Sequence, residues 1–282
     1  MNVKKIVLAG GTGFLGNAII QKLNDGKTEI VVLTRGVARQ KNKVNYLQWD
    51  GETLGKWAEE IDGADVVINL TGKSVDCRYS EKNKKEIISS RVNATKILGE
   101  AIVRSKNPPA LWLNSASATI YRYAEDKPMD EFTGEIGDGF SVGVCKIWEK
   151  TFNEISTPET RKVVMRISLV LGKEGGLLPV MKNLVKKGLG GKMGTGNQYV
   201  SWIHEDDYLN ALVWLIEHPE ASGPYNMAAP EPVPNNEFMR LMRTTLGKNV
   251  GLPARKWMLE VGAFFMRTET ELILKRRSVI PS

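Results

Sequence analysis

Residues 3–16 read Val3-Lys4-Lys5-Ile6-Val7-Leu8-Ala9-Gly10-Gly11-Thr12-Gly13-Phe14-Leu15-Gly16, and the architecture of the chain can be built outward from them. Val3–Ala9 is a short apolar, β-branched run ended by glycines, which predicts a buried strand. Phe14, Leu15, Ala18, Ile19 and Leu23 then recur at helical spacing. Between strand and helix, Gly10, Gly13 and Gly16 are spaced GxxGxxG. Gly10 permits a tight turn, Gly13 leaves the main chain bare for a pyrophosphate, and Gly16 lets the helix pack close to the strand. The helix N-terminus adds free N–H groups and the positive end of its dipole. A glycine triplet in this strand–turn–helix context predicts dinucleotide binding. Gly10, Thr12, Gly13, Phe14, Leu15 and Gly16 are therefore candidate cofactor contacts.

The next strand, Glu29–Thr34, runs into Thr34-Arg35-Gly36. An NAD site commonly places an Asp or Glu here for the ribose 2′-hydroxyl, whereas an Arg suits a 2′-phosphate. Arg35 thus favours NADP, with NAD less favoured. Further strands are expected at Val44–Gln48, Asp65–Leu70, Leu111–Ser115 and Lys162–Ile167. Helices are expected over Lys82–Arg104 and Gly143–Ile155. This alternation predicts an α/β fold, a Rossmann-type doubly wound parallel sheet over residues 1–171. Beyond 172 come glycines, a helix near Leu177–Lys187, a strand at Tyr199–Ile203, a helix over Asp206–Glu217 and a short strand at Tyr225–Met227. A helix over Asn235–Leu246 follows, with Asn235 or Asn236 as N-cap, and then an apolar helical stretch, Ala254–Leu274. Residues 172–282 are expected to form a smaller C-terminal α+β lobe on the substrate side.

Composition narrows the class. Of 282 residues, 42% are hydrophobic and 25% charged, which excludes disordered, collagen-like and coiled-coil chains. No apolar run approaches the roughly 20 residues of a membrane helix. The net charge of +7 is dispersed, apart from small clusters such as Lys82, Lys84 and Lys85 or Lys275, Arg276 and Arg277. A nucleic-acid binder would gather it in a stripe, so neither nucleic acid nor membrane is an expected partner. Cys77 and Cys145 suggest free thiols in a reducing compartment. The early apolar run is too short for a secretory leader, and cytoplasm is the expected location. Two His and two Cys lack ligand spacing, so no metal is expected. Met239, Met242, Met258 and Met266 suit core or groove lining.

Together these residues resemble the short-chain dehydrogenase/reductase superfamily in its extended, epimerase-like branch. Asp65-Val66-Val67-Ile68-Asn69-Leu70-Thr71-Gly72 resembles the strand that lines the cofactor, Asp50 the acid near the adenine, and Ser115-Ala116-Ser117-Ala118-Thr119-Ile120-Tyr121 the strand end bearing the active-site Ser. Arg78-Tyr79-Ser80, Ser90-Arg91-Val92, Val144-Cys145-Lys146-Ile147-Trp148-Glu149, Gly172–Gly176 and Ser201-Trp202-Ile203-His204-Glu205-Asp206-Asp207 are similar to the nucleoside-diphosphate-sugar epimerase-like "epimerase family protein" subgroup. Its members usually continue past Arg277–Pro281 with another short stretch, so the resemblance implies a chain that is truncated or naturally short at the edge of its C-terminal lobe. The resemblance implies cofactor contacts at Thr34, Arg35, Asp50, Leu70, Thr71, Gly72, Arg91 and Ser115. It implies substrate-side positions at Tyr79, Tyr121, Trp202 and His204, a small substrate such as a nucleotide-sugar-like molecule, and a monomer or homodimer.

In that superfamily a Tyr four residues before a Lys transfers the proton, the Lys holds the nicotinamide ribose, and a Ser orients the substrate. Ser117 and Lys146 match the Ser and Lys positions, but Val142 stands where the Tyr belongs and carries no proton. Tyr123 and Lys127 have the Tyr-x-x-x-Lys spacing outside the expected context, in a loop entering Pro128. Tyr79, Tyr121, Asp130 and Glu131 are other conceivable carriers. His204 is expected to be a packed histidine, and Asp206 or Asp207 the cap of the helix that follows. Two functions stay open: an NADP-dependent oxidoreductase or epimerase of atypical type, and a catalytically silent NADP-binding regulatory or scaffold protein.

Overall fold

A computed structural model describes residues 3–124, 126–260, 269 and 277–282. The opening strand β1 (Lys5–Ala9) leads through the glycine loop into α1 (Phe14–Leu23) and then β2 (Glu29–Thr34). A three-residue strand β3 (Arg39–Lys41) turns back into β4 (Val44–Gln48), followed by β5 (Val66–Asn69), the long α2 (Glu81–Arg104) and β6 (Leu111–Ser117). Next come α3 (Phe140–Glu154), β7 (Arg161–Ile167), β8 (Leu169–Leu171) and α4 (Leu178–Lys186). The chain then forms β9 (Tyr199–Val200), β10 (Trp202–His204), α5 (Glu205–Glu217), β11 (Gly223–Met227), β12 (Val233–Pro234) and α6 (Asn235–Thr245).

Eight strands form one sheet in the order β11-β7-β6-β5-β1-β2-β4-β3, parallel except for the β3–β4 pair. Successive strand residues face opposite sides. Ile6 and Leu8 therefore meet the α1 and α5 core, with Ile19, Tyr208 and Leu212, while Val7 and Ala9 meet Ala94, Leu98 and Phe152 of α2 and α3. Helices on both faces make the sheet doubly wound. The strand order reverses between β5 and β1, which opens a crevice at their carboxyl ends.

The expected division at 171/172 does not coincide with a sheet edge. Strand β11, far beyond it, pairs along β7, and α5 packs against the main core. Past β8, α4 and α6 share a small separate core built on Met181, Val185, Met193, Phe238 and Met239. The strand expected at Tyr199–Ile203 is broken at Ser201 into β9, which pairs antiparallel with β12, and β10, which pairs parallel with β8. The cap of α6 is Pro234. Asn235 is already helical, and its Oδ1 accepts from the Met193 N–H instead. Of the helical stretch expected over 254–274, residues 256–260 are helical, and Met266, Lys275 and Arg276 lie outside the described residues. None of the described helices is long and apolar enough to cross a membrane.

Candidate functional site

At the strand-order reversal the glycine loop has the shape its sequence implies. Gly10 adopts φ +77°, and a Cβ there would stand 3.0 Å from the Leu70 carbonyl carbon and the Thr71 nitrogen. A Cβ on Gly16 would collide with the Gly11 backbone. Gly13 differs from both. Its backbone is extended, at φ −84° and ψ −175°, and beyond its own chain neighbours no atom of the described residues lies within 4 Å of where its Cβ would be. The first two glycines satisfy the protein's own packing, whereas Gly13 borders open space at the N-terminus of α1.

From this loop a cavity of about 550 Å³ extends along the strand ends, within the usual range for small-molecule sites. Gly10, Gly13, Phe14, Leu15, Gly16 and Leu70 line its first half. Ser115, Ser117, Tyr79, Arg91, Ser141 and Cys145 line the rest, among apolar neighbours that include Trp148 and Ile167. Beneath the floor, Asn69 Nδ2 donates to Asn114 Oδ1 at 2.7 Å, and Asn69 Oδ1 accepts from the Thr71 N–H at 3.0 Å. Thr95 Oγ1 accepts from Trp148 Nε1 at 3.1 Å. This buried network fixes both the turn after β5 and the Trp148 ring.

The site has the features a dinucleotide requires. Gly13 leaves the main chain bare, and the buried hydroxyls of Ser115 and Thr71 lack a hydrogen-bond partner among the described residues. Such orphaned groups cost free energy unless a ligand or water meets them. Ser117 Oγ accepts from the Thr119 N–H at 3.2 Å, which leaves its own proton to donate into the cavity. Arg91 lies beneath Gly72, with its guanidinium 5.0 Å from the Trp148 ring centre. Its Nη1 donates to the Lys73 and Ile87 carbonyls, and burial lowers its pKa.

Away from the cavity, Thr34 Oγ1 accepts from the Gly36 N–H and shapes the turn that exposes Arg35, which pairs with no acid among the described residues. Thr12 is exposed beside the loop. Asp50 does not line the cavity. Both its oxygens serve a tight turn, accepting from the Thr53 hydroxyl and the Thr53 and Glu52 N–H groups, and this holds its pKa at about 2.

Four expected positions, Lys146, Tyr121, His204 and Trp202, require correction. Lys146 is exposed and lies off the cavity wall. The residues of α3 that do face the cavity are Phe140 at its start and then Ser141, Val144, Cys145 and Trp148, the last four spaced i, i+3, i+4 and i+7. One residue along a helix is a rotation of about 100°, so Ser141 and Cys145 hold the positions expected for Val142 and Lys146. Val142 itself is buried, 1% exposed. Tyr121 is fully buried, and its hydroxyl accepts from Arg166 Nη1 at 2.8 Å and donates to Asn226 Oδ1 at 2.9 Å. It belongs to the core. His204 is exposed, and its Nδ1 caps α5 by accepting from the Asp206 N–H, so the cap is the histidine and not the acids after it.

Trp202, which donates to the Glu231 carbonyl, also lies off the cavity. Asp130 and Glu131 are taken up by a turn and by the Asn226 and Ser282 N–H groups. Lys127 pairs with Glu135. Cys77 and Cys145 are free cysteines, and burial pushes the Cys145 thiol up to about 12. Among the described residues no three His, Cys, Asp or Glu side chains gather as a metal site.

A doubly wound sheet with a glycine-loop cavity at its strand-order reversal defines a Rossmann-type dinucleotide-binding protein. The chain belongs to the NAD dependent epimerase/dehydratase family, whose model matches residues 6–228. It is 31% identical to the epimerase family protein YfhF of Bacillus subtilis, over 98% of this chain and 90% of that one. The structure of human epimerase family protein SDR39U1 (isoform 2) with NADPH superposes with a TM-score of 0.86 at 29% identity, covering 98% of this chain and 91% of that one. A nucleoside-diphosphate sugar epimerase from Corynebacterium glutamicum gives 0.78 at 27%, covering 99% of this chain and 53% of that one. Neighbours at 17–19% identity, several of them holding NAD, share the fold.

Proposed function

We propose that this protein binds NADP(H) and serves as an oxidoreductase or epimerase of atypical type on a small carbonyl or hydroxyl compound such as a nucleotide sugar. The observation that carries this reading is the continuity of one cavity from the bare main chain at Gly13 to a polar end bearing Ser115, Ser117, Ser141 and Tyr79. Gly10, Gly13, Gly16 and the N-terminus of α1 would hold the diphosphate. Arg35 would meet a 2′-phosphate, which agrees with the NADPH held by the similar human protein. A bound nicotinamide supplies or accepts a hydride at the substrate carbon. Ser117 then orients the substrate oxygen by donating its free proton.

Ser141 and Cys145, standing where a phenol and an ammonium are expected, favour a second reading: an NADP-binding regulatory or scaffold protein without turnover. Cofactor titration combined with a panel of aldehydes, ketones and nucleotide sugars separates the two. Micromolar NADPH binding with oxidation of the cofactor by some member of the panel supports the enzyme. Binding without turnover supports the silent protein, and no binding refutes both.

A further inference from the structure

We infer that the proton-transfer group of this cavity is Tyr79, supplied from the segment before α2 rather than from α3, with Ser141 as its hydrogen-bond partner and Arg91 as its cation. This assignment rests on the oxidoreductase reading above. Among the cavity-lining residues of α3, Ser141 presents a short hydroxyl and Cys145 a neutral thiol. Across the cavity Tyr79 fills the gap, with its Oη 3.4 Å from Ser141 Oγ. Its ring meets Phe140 edge-on at 4.8 Å between centroids, which fixes its direction. Both side chains line the cavity.

The backbone that carries Tyr79 is held firmly. Ser80 caps α2 by accepting from the Asn83 N–H, Asn83 Nδ2 donates to the Arg78 carbonyl at 2.7 Å, and the Tyr79 N–H donates to Glu269 Oε1 at 2.9 Å. The charged groups around the phenol come from several elements. Arg91 of α2 lines the same cavity, within electrostatic reach of the phenol. Lys84 of α2 lies 5.7 Å from the Phe140 ring centre. Cys145 of α3 is held neutral by burial. Glu269 also faces Arg78 at 3.6 Å, and Lys73 is paired with Glu86. Among these described groups the cation that lines the cavity together with Tyr79 is the half-buried Arg91, and a nearby cation favours phenolate.

In the reducing direction the carbonyl carbon gains a hydride from reduced nicotinamide, and the carbonyl oxygen takes the Tyr79 proton. The C=O becomes CH–OH, and the phenolate left beside Arg91 is reprotonated from water through Ser141. The reverse direction removes a hydroxyl proton to the phenolate while the hydride leaves to oxidised nicotinamide.

The deciding experiment is a phenolate absorbance titration of the full-length protein against Tyr79→Phe, which isolates this one phenol. The expected result is a Tyr79 pKa at least about one unit below the usual value near 10, moved upward by Arg91→Met and kept low by Arg91→Lys. The charge-conserving variant also covers the case in which Arg91→Met does not fold. A Tyr79 pKa at or above about 10, or one that follows side-chain shape rather than charge in the two Arg91 variants, overturns the inference. With whichever carbonyl the panel yields, Tyr79→Phe should lower kcat at least about 100-fold while NADPH affinity stays unchanged. An unperturbed Tyr79 in a protein that binds NADPH refutes this assignment alone, and failure to bind NADPH refutes the functional reading beneath it.

Discussion

The Phe14 ring of the glycine loop occupies the space that a Cβ on Gly175 would need, with ring Cδ2 standing 2.5 Å from that position. Gly172 presses on the same ring from its far edge, beside Glu205 Oε2. The segment after β8 thus clamps a residue that lines the cavity, and two glycines leave the room. Gly175→Ala should force Phe14 or this segment to shift, at a cost of about 1–3 kcal/mol. NADPH affinity should fall severalfold. Thermal unfolding together with an NADPH titration checks both, and unchanged values would mean that the clamp is incidental.

Arg35 stands exposed at the end of β2, without an acidic partner among the described residues. Arg35→Glu should weaken NADPH binding at least about tenfold, or 1.4 kcal/mol, and leave NADH binding nearly unchanged. Parallel fluorescence titrations check this, and equal losses for the two cofactors would refute a 2′-phosphate contact.

Glu149 and Arg166 form a bidentate ion pair at 2.9 Å, each side chain 10% exposed. Burial works against the Arg166 charge, but Glu149 and Tyr121 more than offset it and raise the guanidinium pKa. Glu149→Ala leaves a buried cation without its carboxylate and should destabilise the fold by about 3–5 kcal/mol. Tyr121→Phe removes a hydroxyl shared by Arg166 and Asn226 and should cost about 1–3 kcal/mol, with NADPH affinity unchanged because Tyr121 is a core residue. Denaturant unfolding and cofactor titration of both variants check these values. A Tyr121→Phe protein of full stability but impaired binding would return Tyr121 to the cavity.

Lys146 provides the complementary control. It is exposed and off the cavity wall, so Lys146→Ala should leave NADPH affinity within about twofold and stability within about 0.5 kcal/mol. A binding loss at the nicotinamide end would contradict the helix phase described above.

The fold and the glycine-loop end of the cavity were legible in the sequence because their signals are local. A glycine spacing and a β-branched run each act within a few residues of themselves. The second half depends on the rotational phase of α3, where one residue turns the helix by about 100° and exchanges Cys145 for Lys146. The stripe Ser141, Val144, Cys145, Trp148 carried that phase, but the lysine at 146 was the more conspicuous residue. Tyr121 and His204 were not legible for a different reason. The partners that bury Tyr121, Arg166 and Asn226, lie far along the chain, and the Nδ1 cap of His204 depends on the angle at which β10 enters α5.

Gly13 offers the most direct test of the account, because beyond its own chain neighbours no atom of the described residues lies within 4 Å of its missing Cβ and its backbone is one that any residue adopts. Aspartate at this N-cap suits α1 while placing a negative charge where the diphosphate would rest. Gly13→Asp should therefore unfold within about 0.5 kcal/mol of the wild type and bind NADPH at least about 100-fold more weakly, a loss near 2.7 kcal/mol. A Gly13→Asp protein that binds NADPH as tightly as the wild type would contradict dinucleotide binding at this loop.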